Sequence, residues 1–215
     1  MTILITGANR GIGRAMYDAY VAKGETVIGT RRDTAGDGWL QLDVTDTDSI
    51  EAMAASLGDT PLDLLVCNAG IFKDRGMDIA TGYPADVWAE EFATNVTGVF
   101  LGIQAMLPAL KAAKGKIAII SSQMASDADA AGGAYIYRAS KAAVLNLGRN
   151  LARDLQADGI AVGIYHPGWV QTDMGGTAAA ITPKDAATGL LDRFADLSLK
   201  STGCFKTWDG RDHAF

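Results

Sequence analysis

Tyr137 and Lys141 stand four positions apart in Tyr137-Arg138-Ala139-Ser140-Lys141, and the chain carries this Tyr-x-x-x-Lys spacing nowhere else. On a helix, residues at i and i+4 lie one above the other on a single face. A phenol beside an ammonium is a proton donor whose acidity the neighbouring charge tunes, which is the equipment of general acid–base chemistry. An ammonium about 5 Å away in a medium of effective dielectric about 20 brings a phenol from about 10 to about 7.5. An exposed pair of this kind is also an ordinary feature of a helix surface. Position favours the chemical reading, because the pair follows the apolar run 117–120 and the hydroxyls of Ser121-Ser122, which can donate to an oxygen held by the phenol.

A second constellation lies at the start of the chain. The apolar run 3–5 leads into Thr6-Gly7-Ala8-Asn9-Arg10-Gly11-Ile12-Gly13, and helical spacing follows. Glycines at such a turn let the backbone bend tightly, approach a pyrophosphate and pack helix on strand, while the helix N-terminus offers free N–H groups to the anion. The spacing Gly-x-x-x-Gly-x-Gly differs from the G-x-G-x-x-G fingerprint, and no Gly-Lys-Ser/Thr follows to make a lysine P-loop. Gly7, Asn9, Arg10, Gly11, Ile12 and Gly13 are the candidate phosphate-binding residues. At the end of the next strand an NAD site places a carboxylate and an NADP site an arginine. Arg31-Arg32 stand there, with Arg10 in the turn as a further cation, whereas Asp33 falls past the strand end. NADP(H) is therefore favoured, with NAD(H) the alternative through Asp33.

The elements that must position these residues follow from hydrophobic runs. Short apolar runs at 3–5, 26–29, 40–42, 64–67, 117–120 and 160–165 lack polar alternation and read as strands buried on both faces. Helical spacing covers 12–23, 48–57, 85–110 and 137–156, and a helix over 183–197 with a last strand over 203–208 closes the set. The connection 31–39 is too short for a full helix, so one crossover is expected to be trimmed. Alternating strands and helices predict an α/β, doubly wound parallel sheet forming a single domain over 1–215, with its ligand site at the carboxyl ends of the strands.

Composition narrows the function. The 215 residues are 48% hydrophobic and 20% charged, with 19 Lys+Arg against 25 Asp+Glu and a net charge of −6. An acidic chain without a basic tract is a poor partner for nucleic acid or an anionic membrane. Neither a membrane span nor a secretory leader is expected. Two cysteines, Cys67 and Cys204, suit buried thiols in a reducing compartment, so the cytoplasm is expected. No cluster of His, Cys, Asp and Glu has metal-ligand spacing.

Taken in order, these motifs resemble the short-chain dehydrogenase/reductase family, in particular its C-factor-like branch of small carbonyl-reductase-type members. The matching residues are Thr6-Gly7-x-x-x-Gly11-x-Gly13, Asp43-Val44, Asn68-Ala69-Gly70, Asn95, Ser122, Tyr137-x-x-x-Lys141, and His166-Pro167-Gly168-Trp169-Val170-x-Thr172-Asp173-Met174-Gly175-Gly176. The resemblance implies an oxidoreductase acting on a small carbonyl or alcohol substrate, a Rossmann fold, and a homodimer or homotetramer paired through the helices around Asn95 and Tyr137. It implies Tyr137 as general acid, Lys141 lowering the phenol pKa and bonding the nicotinamide ribose, Ser122 donating to the substrate oxygen, and Asn95 holding a water that joins Lys141 to solvent. Asp43 and Val44 would contact adenine, Asn68, Ala69 and Gly70 would line the cofactor through their backbone, Pro167, Gly168 and Val170 would shape its far end, and Thr172 would reach the nicotinamide side.

The chain departs from the family pattern in places. Cys67 stands where Asn is frequent, the spacing from Ser122 to Tyr137 is about two residues longer than usual, and the lid segment 172–183 is short, which suggests an open site. Ser121 and Ser126 compete with Ser122 for the serine role. His166 reads as structural. Trp169, Met174, Tyr135 and Met124 read equally as an apolar substrate wall or as core. A cofactor-binding regulatory protein with little turnover is the alternative function. An epimerase or dehydratase of the extended branch lacks the length and the glycine spacing here.

Overall fold

A computed structural model describes residues 1–33, 36 and 38–215. The strands are β1 (Thr2–Ile5), β2 (Thr26–Arg31), β3 (Trp39–Gln41), β4 (Leu64–Cys67), β5 (Lys116–Ile120), β6 (Ala161–His166) and β7 (Phe205–Thr207). They form one seven-stranded sheet in the order β3-β2-β1-β4-β5-β6-β7, and every pairing is parallel. The helices are α1 (Gly11–Ala22), α2 (Thr47–Leu57), α3 (Ala85–Phe92), α4 (Gly98–Ala113), α5 (Tyr135–Asp154) and α6 (Pro183–Asp196). This is the expected doubly wound Rossmann architecture. The strand order reverses at β1 and β4, so the crevice at their carboxyl ends is the place where such sheets bind ligands.

Side chains alternate across the sheet and divide the core into two layers. Leu4, Ile117 and Ile119 pack with Ile50 of α2, Ile103 of α4 and Val144 of α5. Ile3, Ile5 and Ala118 pack on the other face with Met16 of α1 and Phe194 of α6. Both faces being covered explains why the strands are continuous apolar runs.

Two differences from the sequence expectation bear on the site. The single helix expected over 85–110 is broken into α3, a π-helical turn at Ala93–Thr97, and α4. Asn95 lies in that turn, where its amide is tied to a neighbouring peptide, and a π turn is a common way to aim such a residue. The run Ala85–Ala113 contains an 18-residue window with a mean hydropathy of 1.4, long and apolar enough to cross a bilayer by length and composition, where no such stretch was expected. In the fold it is interrupted at the π turn and lays Val99, Ile103, Met106 and Leu110 on the sheet. As expected of so short a connection, β2 runs to Arg31 and the described residues between it and β3 hold no helix; residues 34, 35 and 37 of this crossover lie outside the described residues.

Candidate active site

At the β1–α1 turn the space for a ligand comes from missing side chains. Gly7 has φ +63°, a conformation open to glycine at little cost. A Cβ on Gly13 would lie 2.4 Å from the Gly7 carbonyl oxygen and 2.5 Å from Asn68 Nδ2. Asn68 donates from Nδ2 to the carbonyls of Thr6 and Gly7, both at 3.0 Å, while Thr6 Oγ1 accepts the N–H groups of Asn68 and Ala69, also at 3.0 Å. Asn68 thus fastens the glycine turn to the end of β4 with its side chain. Sequence reasoning had assigned only its backbone. The first turn of α1 has no side-chain cap from Arg10 and no acidic residue, so its N–H groups remain for an anion. A glycine cradle that a Cβ would fill, with Asn9, Gly11 and Ile12 continuing into an uncapped helix start, fits a pyrophosphate.

The flanking residues are placed as follows. Arg10 Nη1 pairs with Asp173 at 2.8 Å, and Arg31 Nε meets Asp33 at 3.6 Å. The Arg10–Asp173 pair is exposed, with side chains 65% and 78% accessible, and such pairs contribute about 0–1 kcal/mol. A phosphate dianion would compete with it readily. Asp43 Oδ1 accepts the N–H (2.9 Å) and hydroxyl (2.7 Å) of Thr45, which hold its carboxyl below the usual range, and Val44 packs against the start of α4. Beyond β6, Gly168 has φ +89°, Val170 bridges to Ile181, and Thr172 Oγ1 accepts the Gly175 N–H at 3.0 Å. Thr172 lies over the phosphate turn, since a Cβ on Gly11 would stand 3.3 Å from its methyl group.

The reaction-centre residues converge on Gly70. A Cβ there would lie 3.2 Å from Asn95 Oδ1 and 3.4 Å from Lys141 Nζ. Asn95 Oδ1 accepts the Ile71 N–H and its Nδ2 donates to the Ile71 carbonyl, both at 2.9 Å; Nδ2 also meets Ser140 Oγ at 3.0 Å. Lys141 Nζ donates to the Ile120 carbonyl at 3.0 Å and stands 5.6 Å from the Tyr137 ring centroid. Phe72 stacks on the Tyr137 ring at 4.2 Å. The three serines separate by geometry: Ser121 Oγ donates to the Lys141 carbonyl (2.9 Å), Ser126 Oγ to the Phe215 carbonyl (3.3 Å), and Ser122 Oγ accepts the Met124 N–H (3.1 Å) and is the serine hydroxyl that acts on the Tyr137 phenol.

Burial dominates the electrostatics and corrects the sequence arithmetic. The Tyr137 phenol is pushed up to about 12 by burial, although the Ser122 hydroxyl and the charge of Arg75 pull the other way. The Lys141 ammonium is pushed down to about 8 by burial, against the opposing pull of Glu91. A low-dielectric site takes solvation from both charged forms, so the ammonium does not bring the phenol to neutrality. His166 ends β6, buried and pushed down to about 4 by burial, and is neutral at physiological pH. Cys67 is core, its thiol pushed up to about 12. Trp169, Met174 and Tyr135 are exposed and not core, and Met174 Sδ lies 4.0 Å from the Tyr137 hydroxyl.

Sequence reasoning missed Phe72, Asp74, Arg75 and Glu91. Glu91 had one signal, its position four residues before Asn95 on an otherwise apolar helix face. The other three lie in a loop after Gly70 whose contacts are all distant in sequence.

Residues 1–181 match the family model for short chain dehydrogenase, and the chain belongs to that family of oxidoreductases. The 1-hydroxy-2-glutathionyl-2-methyl-3-butene dehydrogenase of Rhodococcus sp. (strain AD45) is 33% identical over 223 residues, with 97% of each chain covered. The C-signal protein of Myxococcus xanthus is 36% identical over 167 residues, which span 76% of this chain and 98% of that one. Among solved structures, the NADPH bound carbonyl reductase from chicken fatty liver superposes with a TM-score of 0.91 at 34% identity, covering 100% of this chain and 98% of that chain.

Proposed function

We propose that this chain reduces a ketone or aldehyde to the alcohol at the expense of NADPH, with Tyr137 as the proton donor. The observation that carries the reading is the convergence of the Lys141 ammonium and Asn95 on the side-chain-free Gly70 at the carboxyl end of β4, with the buried, protonated Tyr137 phenol beside Lys141 and the Ser122 hydroxyl acting on it. NADPH, when bound, supplies hydride to the carbonyl carbon. Tyr137 holds its proton at neutral pH and is the general acid for the carbonyl oxygen. Ser122 donates a second hydrogen bond to that oxygen as it gains charge. Lys141, charged below about pH 8, contributes a positive field beside the phenol and a donor for the ribose. Asn95 fixes the peptide after Gly70 and, through Ser140, the α5 helix that carries both Tyr137 and Lys141.

Gly7, Asn9, Arg10, Gly11, Ile12 and Gly13 would hold the pyrophosphate, with Thr172 closing over it. Arg10 and Arg31 favour the 2′-phosphate, Asp43 and Val44 the adenine, and Ala69, Gly70, Pro167, Gly168 and Val170 the nicotinamide end. All these residues ride on one sheet, so we read 1–215 as one binding and catalytic unit. The apolar 18-residue window within Ala85–Ala113 is only a third buried, which supports pairing of two copies through α4 and α5. The free thiols of Cys67 and Cys204 support the reducing environment of the cytoplasm. Purified protein mixed with NADPH and a panel of small aldehydes, ketones and quinones tests the reading: consumption of NADPH with at least one of them is expected. NADPH binding with no turnover over the whole panel would favour the regulatory alternative, which the 36% likeness to a protein named C-signal keeps in play.

A further inference from the structure

The loop 71–75 follows Gly70 and runs along the reaction centre. Ile71 exchanges two hydrogen bonds with the Asn95 amide, both at 2.9 Å, and Phe72 stacks on Tyr137 at 4.2 Å. Lys73 and Asp74 donate their backbone N–H groups to Glu91 Oε1, the latter at 3.2 Å, and the Lys73 ammonium pairs with Glu90. The Asp74 carboxyl is fully buried and accepts the N–H of Ile136 at 2.7 Å and of Tyr137 at 3.4 Å, at the start of α5. The loop is thus fastened to α3, the π turn and α5 before it reaches Arg75.

Arg75 is exposed, and its place is fixed by two contacts. Its guanidinium carbon lies 4.9 Å from the centroid of the Phe72 ring, the same ring that stacks on Tyr137, and its Nη2 donates to the Met174 carbonyl. Met174 Sδ in turn lies 4.0 Å from the Tyr137 hydroxyl, and the charge of Arg75 is felt at the phenol. Among the described residues no carboxylate pairs with this guanidinium, in a chain with 25 Asp+Glu against 19 Lys+Arg. Arg10, Arg14, Arg193 and Arg211 each have one. A guanidinium carries five N–H donors in a planar fork, so the Met174 carbonyl leaves donors for a second acceptor. The surfaces beside it are apolar: Met174 is 38% exposed and Trp169 52%, with the Trp169 indole N–H already given to the Gly175 carbonyl at 2.8 Å.

We propose that Arg75 is the specificity residue of this site, and that the substrate is a carbonyl compound carrying a carboxylate, which Arg75 holds while the carbonyl oxygen lies at Tyr137. The proposal deepens the function proposed above and rests on it. The fork of a guanidinium matches the two oxygens of a carboxylate, and such charge-assisted pairs are stronger than neutral ones. The ring of Phe72 and the Met174 carbonyl hold the fork in place before the substrate arrives, which lowers the ordering cost of binding. Met174 and Trp169 offer apolar surface to the carbon skeleton between the two polar ends.

Succinic semialdehyde and 4-formylbenzoate, each beside its methyl ester, test the charge with the carbon skeleton kept. With the wild type and saturating NADPH, kcat/KM for the acid should exceed that for the ester by about tenfold or more in at least one pair. The ratio should shrink as salt is raised, since an exposed cation is screened. Arg75→Met should bring the ratio to about one, and Arg75→Lys, which keeps the charge and loses the fork, should stand between. The ratio is the readout, because loss of the contacts to Phe72 and Met174 would lower both rates together. A wild-type ratio within about twofold of one for both pairs would overturn the proposal, as would an Arg75→Met variant that loses acid and ester activity in equal proportion. Absence of turnover with every aldehyde would count against the proposed function. Calorimetric titration with benzoate and benzamide, with and without NADPH, then decides Arg75 by itself. Tighter binding of benzoate that is lost in Arg75→Met supports the anion site; equal affinities, or a preference that survives the substitution, overturn it.

Discussion

At the β1–α1 turn the ligand space is made by leaving atoms out, while at the head of α5 it is made by burying polar and charged side chains against one another. Gly13 has no room for a Cβ, and its neighbours are backbone oxygen and the Asn68 amide. Around Gly70 the contacts belong to the Lys141 ammonium, the Asn95 amide and the Asn68 carbonyl, with the Tyr137 phenol beside the ammonium and the buried carboxyls of Asp74 and Glu91 nearby. The first region is defined by backbone shape within eight successive residues, Thr6 to Gly13. The second gathers residues from the loop after β4, the π turn, the end of β5 and α5. The contrast has an energetic side. A glycine turn costs chain entropy but leaves nothing buried and unpaired, whereas the reaction centre holds charge where solvent does not reach. The two regions should therefore respond oppositely to substitution: adding an atom breaks the first, and removing one disables the second while easing its strain on the fold.

Lys141→Met is the change that separates the two most sharply. Lowering an ammonium from 10.5 to about 8 by burial corresponds to about 3 kcal/mol against the charged form. Part of that cost disappears with methionine, offset by loss of the bond to the Ile120 carbonyl. The variant should melt at or above the wild-type temperature and lose about 10²-fold in kcat. A matching loss of stability and activity would show that Lys141 is a structural residue. The pH dependence follows from the same group. Tyr137 keeps its proton to about 12 and Lys141 loses its own through about 8, so reduction should be level below pH 8 and fall as pH rises through it. In Lys141→Met that fall should vanish.

Gly13→Ala tests the other region. The added carbon meets the Gly7 carbonyl, and overpacking of this kind costs about 1–3 kcal/mol. Melting temperature and NADPH affinity should fall together, the reverse of the Lys141→Met signature.

The two regions also differed in how much of them the sequence disclosed. The phosphate turn was legible because glycine spacing next to an apolar run fixes a local geometry, and the strands were legible because burial on both faces leaves no polar alternation. Tyr137 and Lys141 were legible through helical spacing. The π turn at Asn95 was not, since it depends on a bond to Ile71, a residue 24 positions earlier. Asp74 stayed hidden for the same reason: its partners are backbone N–H groups of a remote segment, and a carboxylate in a loop carries no mark of burial, while Glu91, on α3, had only its spacing from Asn95 to mark it. The tuning of Tyr137 was misjudged because Coulomb attraction can be estimated from a spacing, and desolvation cannot.

Smaller effects sharpen the comparison further. Ser122→Ala should lower kcat about tenfold or more, with NADPH affinity kept within a few-fold. Greater damage from Ser121→Ala or Ser126→Ala would shift the donor role along the loop, against the separate bonds those two hydroxyls make. Smaller still is the cofactor preference. Charge-assisted bonds to a 2′-phosphate are worth about 1.5–3 kcal/mol each, so NADPH should bind about tenfold or more tightly than NADH, and Arg10→Ala should narrow the gap. Equal dissociation constants for the two cofactors would assign the adenosine end to Asp33.

The proton donor is the point on which everything else depends, and Tyr137→Phe isolates it, because the ring that Phe72 stacks on is kept and only the hydroxyl goes. NADPH affinity by fluorescence titration and NADPH consumption with a carbonyl substrate accepted by the wild type should be measured on the same preparations. The expected result is cofactor affinity within a few-fold of wild type and turnover abolished. Substantial carbonyl reduction by Tyr137→Phe would contradict the account and assign the proton to another group.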